Sequence, residues 1–105
     1  MTAKGQPMYT LTAILRAKPG HEADVRAALE RCGAWVRAHE PDTHGFFLAQ
    51  DPQDPCRFTT YERFTDRAAM DRHNMGEGSQ TFFATAGHLL DGDAIIATAQ
   101  EFFAL

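Results

Sequence analysis

The stretch MYTLTAILRA, residues 8–17, decides how the rest of the chain must be read. Its side chains alternate. Tyr9, Leu11, Ala13 and Leu15 point to one side, and Met8, Thr10, Thr12, Ile14 and Arg16 to the other. A period of two marks a strand. Apolar residues nevertheless occur on both sides, which a sheet with one wet face does not require. The last apolar stretch, Ala94 to Phe103, shares this property: Ile96 and Phe102 fall on one face, Ile95, Ala97 and Phe103 on the other. Two such strands predict a sheet with both faces covered.

Working outward, Pro19-Gly20 breaks the first strand, and the period then changes. Val25, Ala28, Leu29, Cys32, Trp35 and Val36 share one stripe at helical spacing. Glu22 and Asp24 near its start and Arg37 near its end suit the helix dipole. The helix must stop before Pro41, because a residue preceding proline disfavours helical torsions. Gly45 opens a second strand through Ala49, and the turn-rich DPQDP separates it from a third, Arg57 to Phe64. That third strand carries Phe58, Thr60, Glu62 and Phe64 on the face expected to meet the helices, with Thr59, Tyr61 and Arg63 opposite. The pair reads as a hairpin with a longer loop. Thr65 or Asp66 can cap the next helix, which runs to about Met75. GEGS interrupts it, and Ser79 is expected to cap a continuation bearing Phe82, Phe83, Ala86, Leu89 and Leu90. An Asp91-Gly92 turn leads to the final strand.

The order β-α-β-β-α-β predicts a ferredoxin-like α+β fold, with both helices on one face of a four-stranded antiparallel sheet. Residues 1–7 read as a frayed lead and 8–105 as a single domain. A domain of 105 residues buries only about two-thirds of its unfolded surface. The expected cover for the open sheet face is therefore a second copy of the chain.

Composition narrows the function classes. A net charge of -4 with dispersed arginines argues against a nucleic-acid or anionic-membrane surface. No apolar run approaches the roughly 20 residues of a membrane span, and no signal peptide is visible. The two cysteines, Cys32 and Cys56, form no CxxC pair and no zinc set, so both read as reduced thiols of a cytoplasmic protein. The loop HEPDTH gathers His39, Glu40, Asp42 and His44, but Pro41 keeps its histidines off one helix face. A turn after a helix explains that composition, and no metal is expected.

The strand ending in KPG, the HEPD leading to Gly45, the stretch FTTYERFTD and a helix reaching His73 together resemble antibiotic biosynthesis monooxygenase domain proteins, over about residues 8–103. The resemblance implies a dimeric α+β barrel, two ferredoxin-like subunits packed sheet against sheet. It implies a functionally mixed family: some members oxygenate phenols or quinols with O2 and no metal or flavin, others cleave haem or isomerise small metabolites.

Within this frame His73 stands where the family's recurrent histidine lies, and a neutral imidazole there could take a phenolic proton. The alternative is a helix-surface or capping histidine. Glu62 could orient that base; the alternatives are a buried pair with an arginine or a dimer contact. Phe64 and Phe82 are the candidate pocket walls, with Thr60 and Tyr61 as further substrate contacts. Haem-cleaving members carry an asparagine on strand 1 and a tryptophan ending strand 3; here stand Thr12 or Ala13, and Phe64. Phenol-oxygenating members carry a tryptophan and an asparagine around strand 3, where Phe64 and Thr60 stand. The expectation is a cofactor-independent monooxygenase acting on a quinol or polycyclic phenol. The alternatives are a non-catalytic dimeric binder of a small aromatic molecule, or an isomerase using the same pocket.

Overall fold

The computed structural model describes residues 7–105. The elements run β1 (Tyr9–Arg16), α1 (Glu22–His39), β2 (Thr43–Gln50), β3 (Arg57–Phe64), α2 (Arg67–Met75), α3 (Glu77–Ala86) and β4 (Ile95–Gln100). A short 3-10 turn, Gly87–Leu89, follows α3. The four strands form one antiparallel sheet in the order β2-β3-β1-β4, the ferredoxin-like arrangement. Most of the expected lead, residues 1–6, lies outside the described residues; Pro7 is exposed and in no regular element.

Local chemistry explains the boundaries. Gly20 and Gly92 adopt φ of 90° and 82°, a left-handed backbone that glycine accepts without strain, at the two turns flanking the β1–α1 and α3–β4 connections. Helix α1 ends at His39 with Glu40 as its C-cap, one residue before Pro41. Asp66 caps α2, its side chain accepting from the Ala69 amide at 2.9 Å. That settles the choice between Thr65 and Asp66.

Four expectations need correction. Ser79 does not cap α3; Gly76 occupies the cap position, and the Ser79 hydroxyl instead donates to the His73 carbonyl at 2.9 Å. The break between α2 and α3 is thus a single residue, stitched by that bond and by the Gly76 amide on the same carbonyl at 3.1 Å. The apolar stripe after Phe82 also breaks up. Phe83 turns outward, and the α-helix ends at Ala86, leaving Leu89 and Leu90 half-buried beyond it. Lastly, β4 is shorter than Ala94–Phe103, and Phe102 and Phe103 extend past it into solvent. Strand β2, conversely, starts two residues before Gly45, with a register irregularity between Thr43 and Gly45.

The core lies between the sheet and the helices. Leu11, Ala13 and Leu15 of β1 and Phe58 and Phe64 of β3 meet Val25, Ala28, Leu29, Cys32 and Val36 of α1, with Met70 and Phe82 closing the layer. Phe64 has no exposed surface; burying such a side chain contributes about 1.5–3 kcal/mol. The opposite sheet face carries Phe47, Tyr61 and Ile95, all exposed, while every residue of β4 is exposed.

Candidate functional site

Strand β3 is central, and its register sets the site. Glu62 pairs with Leu11 on one side and Phe46 on the other; Thr60 pairs with Ala13 and Leu48. Both polar side chains therefore stand in the middle of the helix-facing layer, each flanked by apolar neighbours. Helix α2 buries Ala69, Met70 and His73, residues at i, i+1 and i+4, so its last turn lays the imidazole against this layer. Its position near a helix C-terminus also favours a cation.

Three side chains meet there in line. His73 Nδ1 lies 2.7 Å from Glu40 Oε1, and Nε2 lies 3.1 Å from Glu62 Oε1. The first is a hydrogen bond; the second is a charge contact out of hydrogen-bond alignment, which leaves Glu62 Oε1 without a hydrogen-bond partner. Glu62 Oε2 accepts from the Thr60 hydroxyl at 2.7 Å, and Glu40 Oε1 accepts also from Thr43 at 2.8 Å. Side chains of His73, Glu62 and Glu40 are 4%, 7% and 13% exposed.

Charge can be counted from this geometry. With Nδ1–H donated to Glu40, a bare Nε2 could not face an ionised carboxylate at 3.1 Å without repulsion. The contact therefore calls for a proton on Nε2, which makes the ring an imidazolium. An imidazolium between two carboxylates gives the trio a net charge of minus one. Burial pushes the His73 pKa down, but the Glu62 and Glu40 carboxylates outweigh it and hold it above the usual histidine value. A neutral imidazole is therefore not the resting base.

Glu62, His73, Thr60 and Phe82 all line one cavity of about 250 Å³, with Leu11, Ala13, Leu29, Cys32 and Phe46 among its apolar walls. Exposed Phe83 of α3 and Ile96 of β4 mark its mouth. The other two candidates lie elsewhere. Phe64 is buried behind the site, its ring 5.3 Å from the His73 ring, and supports the imidazole without lining the cavity. Tyr61 lies on the open sheet face, where its hydroxyl donates to Glu101 Oε2 at 2.7 Å. It is therefore remote from a ligand in this cavity; alternation along β3 had already placed it opposite Glu62. Carboxylate acceptance from Tyr61 and Arg63 holds Glu101 below the usual range, the Arg63 bond being the larger cause.

Glu40 is the residue that sequence reasoning missed. It sat in view within HEPDTH, but was read as turn composition, because no local pattern connects it to a histidine 33 positions later. The rest of that loop is occupied otherwise: His39 stacks on Trp35, His44 bonds Thr65, and Asp42 accepts from Thr65 and Arg72. Among the described residues no group of three or more His, Cys, Asp or Glu is arranged to hold a metal ion.

A family model described as antibiotic biosynthesis monooxygenase matches residues 8–85. The chain belongs to that family. Membership supports a monooxygenase-like role in general terms. Among solved structures, PA3566 from Pseudomonas aeruginosa is similar at 28% identity and a TM-score of 0.83, over 92% of this chain and 96% of that one. NE2512, a protein of unknown function from Nitrosomonas europaea, is 25% identical with a TM-score of 0.83, over 95% and 94%. A protein described as an antibiotic biosynthesis monooxygenase, at 24% identity and a TM-score of 0.81 over 88% and 96%, shares the fold. No curated protein matches in sequence. No helix among the described residues is long and apolar enough to cross a membrane.

Proposed function

We propose that this family member is a cofactor-independent monooxygenase that oxidises a quinol or phenol with O2. One observation carries the reading: Glu62 and His73, in charge contact at 3.1 Å, line the same apolar cavity. The sequence assigned the base to His73 with Glu62 orienting it. The contact favours the pair as acceptor, with the Glu62 carboxylate receiving the proton beside His73.

The chemistry then needs few groups. Transfer of the hydroxyl proton to the pair leaves an electron-rich anion that reduces O2, and a C–O bond forms at a ring carbon bearing hydrogen. The pair returns its proton to the resulting peroxide. It then removes the ring C–H proton as the O–O bond breaks and hydroxide leaves, and the two combine as water. One oxygen atom stays in the product carbonyl. Phe82 and the apolar walls exclude water and orient the ring. Thr60 holds Glu62 in place.

The test is oxygen uptake with menadiol-type quinols, measured over the autoxidation blank. His73→Ala and Glu62→Gln should each reduce the rate by roughly 100-fold, within the usual range for positioned acid–base groups. A His73→Ala variant that consumes oxygen as fast as the wild type refutes the assignment.

Phe64 and Thr60, standing where phenol-oxygenating relatives carry tryptophan and asparagine, favour a second reading: a binder of small aromatic molecules without turnover. Thermal stabilisation by such ligands with no oxygen uptake would select it. In either case we place a second copy of this single domain, residues 8–105, against the open sheet face bearing Phe47, Tyr61 and Ile95. A stable monomer by sedimentation at micromolar concentration overturns that assembly. Two free thiols support a reducing, cytoplasmic setting.

A further inference from the structure

We infer that the inner cavity admits neutral hydroxyarenes and excludes arenes bearing an anionic group on the hydroxylated ring, with Glu62 setting this charge selectivity. The inference rests on the cavity being the ligand site proposed above, and names which members of a broad substrate class can enter it.

The charges on the cavity wall are one-sided. Among the described residues, Glu62 and His73 are its only ionisable lining residues apart from the Cys32 thiol, which burial and then the Glu62 and Glu40 carboxylates push up to about 11 and so keep neutral. No lysine or arginine among the described residues lines it. Proton counting gives Glu40, His73 and Glu62 together a net charge of minus one, so the imidazole supplies no spare positive charge to an entering anion. Arg72 and His39 lie in a separate cavity on the far side of His73 and Glu40, and Arg72 is paired with Asp42 at 3.1 Å. Apolar walls leave the repulsion weakly screened.

Donor and acceptor chemistry points the same way. Glu62 contributes a carboxylate to the cavity wall, so a ligand O–H can donate to it, whereas a ligand carboxylate would bring a second acceptor. A cavity of about 250 Å³ falls below the range of roughly 300–1,000 Å³ usual for drug-sized ligands. A charge carried on the hydroxylated ring itself therefore stays near Glu62 when the hydroxyl meets that carboxylate.

The experiment measures anaerobic binding by calorimetry at neutral pH, which keeps it independent of turnover. The probes are a naphthol carrying a carboxamide meta to its hydroxyl and the same naphthol carrying a carboxylate there, matched in outline. The wild type should bind the carboxamide at least ~100-fold more tightly, since like charges placed together cost several kcal/mol. Glu62→Gln keeps the side-chain shape and should narrow that ratio to below ~10-fold. Thr98→Lys places a cation at the cavity rim on an exposed β4 position, and should raise carboxylate affinity even if Glu62→Gln does not fold. Equal binding of the two probes by the wild type overturns the inference, as does an unchanged ratio in Glu62→Gln. Binding of neither probe overturns it together with the reading of the cavity as a ligand site. Clear discrimination without oxygen uptake upholds the charge selectivity and rejects only the monooxygenase.

Discussion

Replacing Glu40 by Gln tests the buried trio through stability, without any substrate. The Gln carbonyl can still accept from His73 Nδ1, now 2.7 Å from Glu40, and from Thr43, now 2.8 Å. What disappears is a negative charge beside a buried imidazolium. A hydrogen bond to a charged group contributes about 1.5–3 kcal/mol and a neutral one about 1, so the substitution should cost about 0.5–2 kcal/mol near pH 6. The pH dependence is more diagnostic. Burial lowers the His73 pKa, but Glu62 and Glu40 raise it further, so its folded value exceeds its unfolded one. A raised pKa means that the stability contributed by the proton is fully present below about pH 6.5 and is lost as pH rises through the folded value. Wild-type stability should therefore fall as pH rises above about 6.5, through the raised folded value. With one carboxylate removed, the variant should fall less steeply. Urea unfolding at fixed protein concentration, pH step by pH step, measures both slopes. A wild type–variant difference that stays constant across the range would show that Glu40 does not stabilise charge on His73.

Two further outcomes follow from burial. Phe64→Ala should cost about 3–5 kcal/mol in urea unfolding, because a fully buried ring that also backs His73 leaves a void; a cost under about 1 kcal/mol would contradict its place in the core. Cys32, with its thiol pushed up to about 11, should resist iodoacetamide in the native protein at mildly alkaline pH and react once urea unfolds the chain; rapid native labelling detected by mass spectrometry would refute its burial.

Alternation along residues 8–17 and 57–64, helical spacing from Val25 to Val36, and breakers at Pro19-Gly20 and Asp91-Gly92 were enough to write the element order and the strand faces. Those features are local: periodicity and turn chemistry act over a few residues, so they are legible one stretch at a time. Alternation put Glu62 and Tyr61 on opposite faces of β3, but which face meets the helices stayed open, with a dimer contact as the alternative for Glu62. The α2–α3 junction was misread in detail because Ser79 has two uses for its hydroxyl, and the bond to the His73 carbonyl wins over a cap. Only the tertiary structure could bring Glu40, at the end of α1, within 2.7 Å of His73 on α2. It also changed the chemistry. A histidine between the buried Glu62 and the partly buried Glu40 carboxylates holds its proton to higher pH, and that effect depends on three segments meeting, which no single stretch of sequence contains.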